Sequence, residues 1–110
     1  MKRGKVFYKN VLAGIVFRDD DGYGFEYDSE YLNSADAEKI SFTLPLQTEP
    51  FRSKTMLPFF DGLIPEGWLL AITEKNWKLN RNDRMGLLLA VCKDCIGAVH
   101  IEPIIDENEK

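Results

Sequence analysis

Three short apolar segments separated by tight-turn signals occupy the first quarter of the sequence and constrain the fold more than any other feature. Residues 6–8 precede the turn pair Lys9-Asn10, and residues 12–17 precede an Asp-rich turn over residues 19–22. Asp and Gly tolerate the positive φ angles of hairpin turns. Over residues 23–28, aromatic residues alternate with small or acidic ones, which is typical of a strand with one buried face. The segments therefore predict an antiparallel sheet.

The middle of the chain predicts one further strand between two irregular segments. Residues 29–39 are polar around one apolar patch, which indicates a helical turn and a loop. Apolar and polar residues then alternate, which predicts a fourth strand that Pro45 ends. The side chains expected on its apolar face are Ile40, Phe42 and Leu44. Residues 48–54 are mostly polar or helix-breaking and predict a surface loop.

The second half of the sequence predicts helices. Residues 54–63 predict a short helix that is broken at Gly62, and Pro65 suits the first position of a helix that runs to about Trp77. Asn82 is a suitable N-cap for a third helix. Its apolar residues recur at the spacing of a core-facing stripe, namely Met85, Leu88, Leu89 and Cys92. Residues 98–101 predict the final strand.

These elements predict one α+β domain over residues 1–110. We expect a curved antiparallel sheet of about five strands packed against roughly three or four short helices. The expected core spans about residues 6–103, and residues 104–110 form a polar tail.

Composition and charge disfavour nucleic acid and membrane partners. The chain has 18 acidic and 14 basic residues, giving a net charge of −4, whereas proteins that bind nucleic acid usually carry a basic stripe. The longest apolar run, residues 85–92, is far shorter than the roughly 20 residues that span a bilayer. The two cysteines in C-x-x-C spacing fit a reducing cytoplasm.

Residues suited to metal binding or catalysis are too few to form a site. Cys92 and Cys95 make one pair, and His100 is the single histidine, whereas a structural zinc site needs four ligands. A calcium-loop pattern over residues 17–28 begins with Phe17, which has no oxygen ligand, so a hairpin turn is the better interpretation. His100 lies in an apolar strand without a nearby nucleophile motif. We expect no metal, no cofactor and no enzyme activity.

A dense apolar stretch over residues 59–68 favours binding to another protein. On a helical wheel, Trp68 and Ile72 share one face of the following helix, while Leu70 and Trp77 lie nearly opposite. A surface helix needs one apolar stripe, so this helix is either sandwiched within the domain or has one face for a partner. The candidate partner-binding residues are Phe59, Phe60, Leu63, Ile64, Pro65, Glu66, Trp68 and Ile72.

Three segments together resemble the N-terminal subdomain of HipA-like kinases. They are Ser41-Phe42-Thr43-Leu44-Pro45-Leu46, residues 59–68, and Asp94-Cys95-Ile96-Gly97-Ala98-Val99, and the similarity runs from about residue 6 to residue 103. HipA proteins are serine/threonine kinase toxins of type II toxin–antitoxin systems, usually neutralised by the helix-turn-helix antitoxin HipB. The resemblance does not extend to the ATP-binding and catalytic segments, so it implies no kinase activity.

A stand-alone copy of this subdomain is similar to HipS, the small protein of split three-component HipBST systems. The resemblance then implies that the protein binds and restrains a separate HipT-like kinase, and the polar ending at residues 106–110 looks like a natural terminus. Our hypothesis is that Trp68, supported by its apolar neighbours, wedges against the kinase. The alternative is a non-inhibitory regulatory or scaffold subunit that completes a complex of the kinase, a HipB-like protein and DNA.

Overall fold

The computed structural model of the protein describes residues 2–64, 84–91 and 98–104. These residues form five strands and three short helices. The strands are β1 (Lys2–Tyr8), β2 (Val11–Asp19), β3 (Gly22–Tyr27), β4 (Phe51–Ser53) and β5 (Val99–Ile104). The helices are α1 (Ser29–Asn33), α2 (Pro58–Asp61) and α3 (Arg84–Val91).

The strands form one open antiparallel sheet in the order β4-β3-β2-β1-β5. The predicted α+β class and five-stranded sheet are confirmed, and so are both predicted hairpin turns. Lys9 and Asn10 adopt positive φ angles of 53° and 67°, as the central residues of a tight hairpin turn do, and they connect β1 to β2. In the second turn, the Asp21 amide donates a hydrogen bond of 2.9 Å to Oδ1 of Asp19.

The core lies between one face of the sheet and the helices. Phe25 and Tyr27 of β3 are buried and Glu26 is exposed, as the alternation predicts. Of the stripe predicted for α3, Met85 and Leu88 are buried and Leu89 is partly buried. The largest fully buried side chains are Phe25, Phe60, Met85, Leu87, Leu88, Ile101, Val6 and Val16.

The fourth strand predicted over residues 40–44 is wrong. These residues form a tight loop in which the Leu44 amide donates to the Ser41 carbonyl at 3.0 Å, with one isolated bridge between the two residues. Ile40 and Leu44 are buried as expected, but Phe42 between them is exposed because the chain reverses there. The burial of Ile40 and Leu44 therefore arises from a turn rather than from a pleated strand.

The strand next to β3 comes instead from residues predicted to be loop. Phe51 pairs with Phe25, and their rings lie 6.4 Å apart. Arg52 of β4 donates two hydrogen bonds to the Asp19 carboxylate, at 2.8 and 2.9 Å. These bonds hold the pKa of Asp19 below its ordinary value. Partners distant in sequence stabilise β4, so local composition does not reveal it.

The helices of the second half also differ from prediction. The helix expected over residues 54–63 begins at Pro58, because Leu57 is held extended at ψ 133° before the proline. The final strand is longer than residues 98–101 and extends to Ile104. The helix predicted from Pro65 lies outside the described residues, as do Asn82 and both cysteines. No helix in the described ranges is long and apolar enough to cross a membrane.

Candidate protein-interaction surface

The apolar stretch from Phe59 to Ile64 packs partly into the core. Phe60 is fully buried, with its ring 5.4 Å from that of Phe25, and Ile64 is 8% exposed. Phe59 and Leu63 are partly buried at the edge of the core, and the Phe59 ring meets Phe60 edge-on at 5.1 Å. Phe60 and Ile64 therefore anchor this stretch from beneath, while Phe59 and Leu63 retain some exposed surface.

Backbone hydrogen bonds extend the turn of α2 through Ile64. The amides of Gly62 and Leu63 donate to the carbonyls of Pro58 and Phe60, each at 3.0 Å, and Ile64 donates to Asp61 at 3.2 Å. Gly62 has φ −69° and ψ −16°, so it continues the right-handed turn rather than breaking it. These bonds continue the helical turn of the backbone as far as Ile64.

An ion pair between α2 and α3 reinforces this arrangement. Arg84 Nε donates a hydrogen bond of 2.7 Å to Oδ1 of Asp61. The two residues flank the segment that contains the remaining predicted contacts, namely Pro65, Glu66, Trp68 and Ile72, all outside the described residues. The ion pair thus connects Asp61 and Arg84, the two described positions on either side of that segment in sequence.

A second surface, missed by the sequence prediction, lies on the loop of residues 38–46. Its backbone is held by two tyrosine hydroxyls. The Tyr31 hydroxyl donates to the Glu38 carbonyl at 2.7 Å and accepts from the Glu38 amide at 3.2 Å. The Tyr27 hydroxyl accepts from the Ile40 amide at 3.0 Å and donates to the Leu44 carbonyl.

The two tyrosines form a compact support beneath this loop. Their rings stack with centroids 6.0 Å apart and planes within 4°. Burial raises the pKa of the Tyr27 phenol above its ordinary value, and the neighbouring Tyr31 contributes in the same direction. A phenol is protonated at neutral pH in any case, and the raised pKa extends to higher pH the range in which Tyr27 keeps its donated hydrogen bond.

This supported loop presents an aromatic ring to solvent. Phe42 is 89% exposed and Leu46 is 40% exposed. The Lys39 ammonium lies 4.6 Å from the centroid of the Phe42 ring, within the range of a cation–π contact. The alternating sequence pattern did not predict the exposure of Phe42, because it placed Phe42 on the same face as Ile40 and Leu44. Pro45 beside the short alternating run was the available signal for a turn.

His100 occupies the strand position expected for it. It lies on β5, where its ring stacks on Phe7 with centroids 4.7 Å apart, and Nε2 is 3.4 Å from Oε2 of Glu102. Within the described parts of the chain, no three His, Cys, Asp or Glu side chains are grouped to hold a metal ion. The candidate surfaces described above are thus apolar and aromatic, which suits recognition of another macromolecule.

Comparison with known proteins identifies the family. The protein-family model described as the HipA N-terminal domain matches residues 4–102 of this chain. The chain belongs to the HipA N-terminal domain family. A solved structure described as the N-terminal domain of HipA toxin superposes with a TM-score of 0.75 and 25% sequence identity, covering 97% of this chain and 96% of that one. The family resemblance seen in the sequence is confirmed.

Two relatives show that the HipA N-terminal domain occurs in chains of very different length. An uncharacterized protein of Haemophilus influenzae is 30% identical over 102 residues, covering 93% of this chain and 92% of that protein. The putative kinase Y4mE of Sinorhizobium fredii is 28% identical over 99 residues, covering 89% of this chain. The match spans 24% of the putative kinase, so most of that protein lies outside it.

Proposed function

We propose that this HipA N-terminal domain protein binds a separate HipA-like serine/threonine kinase in the cytoplasm and inhibits it, as HipS is expected to restrain HipT. The match to residues 4–102 carries the proposal, because the same domain makes up about a quarter of a putative kinase. We expect a domain that shares a chain with a kinase to have a surface that contacts the rest of that kinase. It acts by occupying the kinase and catalyses no reaction of its own.

The proposed contact surface begins at the partly exposed residues Phe59 and Leu63 and continues into the segment that follows. Pro65, Glu66, Trp68 and Ile72 contact the kinase, and Trp68 is the central wedge against its nucleotide-covering loop. Phe60 and Ile64 position this surface from the core, in keeping with their burial. Trp is frequent at binding hot spots because one ring removes a large area from water.

A scaffold role is the second candidate. The putative kinase Y4mE carries this domain within its own chain, which is compatible with a domain that completes a kinase instead of restraining it. Such a subunit would hold the kinase, and a HipB-like DNA-binding protein, in one complex without blocking phosphorylation.

Co-expression separates the two functions. HipA-like kinases of the same genome, beginning with any encoded beside this protein, are expressed with and without it, and growth is measured. An inhibitor restores growth and lowers phosphorylation by the purified kinase in proportion to the dose. A scaffold leaves toxicity unchanged or raises it. Absence of measurable binding to every such kinase would contradict both functions.

A further inference from the structure

The chain contains two aspartate–glycine pairs, Asp21-Gly22 and Asp61-Gly62. Aspartate isomerises most readily before glycine, because glycine has no side chain to hinder attack of its amide nitrogen on the aspartate carboxyl carbon. The attack requires the nitrogen and the carboxyl group to approach one another. The surroundings of each pair in the fold therefore decide whether it can react.

The Asp61-Gly62 pair is held by bonds on both reacting groups. The Gly62 amide donates to the Pro58 carbonyl at 3.0 Å, and the Asp61 carboxylate is paired with Arg84. Asp61 is also the last residue of α2, and the five-membered ring that the attack forms fixes ψ far from the helical value of about −42°. This pair can react only after the end of α2 opens.

The Asp21-Gly22 pair lies at the exposed end of the β2–β3 hairpin. Asp21 is exposed in the two-residue connection between these strands, and within the described residues its carboxylate has no ion-pair or hydrogen-bond partner. Only its backbone amide is engaged, by Oδ1 of Asp19 at 2.9 Å. Exposed turns open at lower cost than elements packed on a core. The Asp21 carboxyl group therefore needs only a local movement of the turn to meet the Gly22 nitrogen.

We propose that Asp21-Gly22 is a site of spontaneous isomerisation to isoaspartate and that the fold protects Asp61-Gly62. The Gly22 nitrogen bonds to Cγ of Asp21, and the carboxyl hydroxyl leaves as water with the amide proton. Water then opens the resulting succinimide ring. Opening at Cγ restores aspartate, whereas opening at the main-chain carbonyl carbon leaves isoaspartate. The reaction consumes no other reagent, and the mass of the chain is unchanged.

Isoaspartate lengthens the backbone of the hairpin connection by one carbon, at a point that is tied to β4. Arg52 bonds both oxygens of the Asp19 carboxylate. Gly22 lies so close to the Ser53 carbonyl oxygen that an added Cβ would clash with it. The extra carbon displaces these groups relative to β4, which is an edge strand of the sheet. The isomerised protein should therefore unfold at a lower urea concentration than the fresh protein.

Ageing of the purified full chain at neutral pH tests the site. Peptide mapping with electron-transfer fragmentation distinguishes isoaspartate from aspartate. Conversion at Asp21 should be roughly tenfold or more faster than at Asp61, the ratio that about 1.4 kcal/mol of additional opening cost gives. In the urea-unfolded chain the two pairs should react at similar rates. Asp21→Glu is the matched control, because glutamate keeps the charge but forms its six-membered ring far more slowly. It should show no conversion at this position and should keep its stability with age.

The possible outcomes test the site, its protection and its effect separately. A folded protein that shows no conversion at Asp21, while the unfolded chain reacts, would refute the site. Equal conversion at both pairs in the folded protein would refute the protection of Asp61. Arg84→Gln should raise conversion at Asp61, and an unchanged rate would exclude the ion pair from that protection. Aged wild type as stable as aged Asp21→Glu would overturn the effect on β4. None of these measurements involves a kinase, so the proposed function is tested independently.

Discussion

Asp61 accepts a hydrogen bond of 2.7 Å from Arg84, so an ion pair joins the last residue of α2 to the first residue of α3. The partners are 23 positions apart in sequence, and the predicted contact Trp68 lies between them. With side chains 47% and 33% exposed, the pair is partly screened by water and adds modest stability. The pair joins the two helices at positions that flank residues 65–83 in sequence.

Asp61→Asn should lower the free energy of unfolding by up to about 1 kcal/mol and weaken kinase binding. The substitution removes the carboxylate charge that pairs with Arg84. It therefore weakens the contact between the two positions that flank the segment around Trp68. Urea denaturation and calorimetry measure the two effects. Arg52→Gln, which removes the Arg52–Asp19 ion pair outside both candidate surfaces, is the control and should leave kinase affinity unchanged. Equal kinase affinity of Asp61→Asn and the wild type would contradict the positioning role.

Tyr27→Phe should lower the free energy of unfolding by about 1–3 kcal/mol. The hydroxyl serves the Ile40 amide and the Leu44 carbonyl, and its removal leaves both without this partner. Tyr8→Phe, at a half-buried tyrosine outside this network, is the control and should change stability little. Urea denaturation at neutral pH compares the variants. A Tyr27→Phe protein as stable as the wild type would show that the loop does not depend on this hydroxyl.

The raised pKa of Tyr27 predicts a loss of stability in alkali. The unfolded phenol ionises near pH 10, whereas the folded phenol keeps its proton to a higher pH. The stability that this difference contributes is fully present below about pH 10 and is lost as the pH rises through the folded pKa. Stability measured by urea denaturation from pH 8 to 11 should therefore fall more steeply for the wild type than for Tyr27→Phe. Parallel curves would contradict this assignment.

Gly62→Ala should raise the free energy of unfolding by about 0.4–1 kcal/mol. Gly62 has a right-handed helical conformation, and the nearest atom to an added Cβ is the Pro58 carbonyl oxygen at 3.4 Å. Alanine therefore fits and restricts the unfolded chain. Gly22→Ala is the contrasting variant, because a φ of +129° and a clash of the added Cβ with the Ser53 carbonyl oxygen make alanine unfavourable there. Thermal unfolding should rank Gly62→Ala above the wild type and Gly22→Ala below it.

Trp68→Ala should weaken kinase binding by about 2 kcal/mol or more, roughly 30-fold, if Trp68 is the central contact. Trp77→Ala removes the same side chain from the opposite side predicted for that helix and should have the smaller effect. Calorimetry and the growth assay measure the loss, and circular dichroism checks the fold. A folded Trp68→Ala protein that neutralises the kinase at equal dose would exclude the wedge.

The residues predicted to contact a partner show how far local sequence pattern determines which side chains are exposed. The sequence identified residues 59–64 as apolar, but it could not distinguish buried Phe60 from partly exposed Phe59. Consecutive residues on a helix point about 100° apart, and the orientation of α2 against Phe25 decides which of them faces inward. Phe42 was misplaced for a related reason, because a strand and this turn both bury Ile40 and Leu44, but only the turn exposes the residue midway between them.

The sequence by itself determined the β1–β2–β3 sheet, because its hairpins depend on nearby turn residues and its strands on short apolar segments, with clear alternation in β3. It also determined the core-facing stripe of α3 and the family to which the chain belongs. Only the tertiary structure decided that residues 51–53 complete the sheet and that residues 40–44 form a loop. Pairing with β3 stabilises β4. The hydroxyls of Tyr27 and Tyr31 stabilise the loop by bonding backbone groups that would otherwise bond a neighbouring strand. Such long-range contacts leave little trace in local sequence pattern.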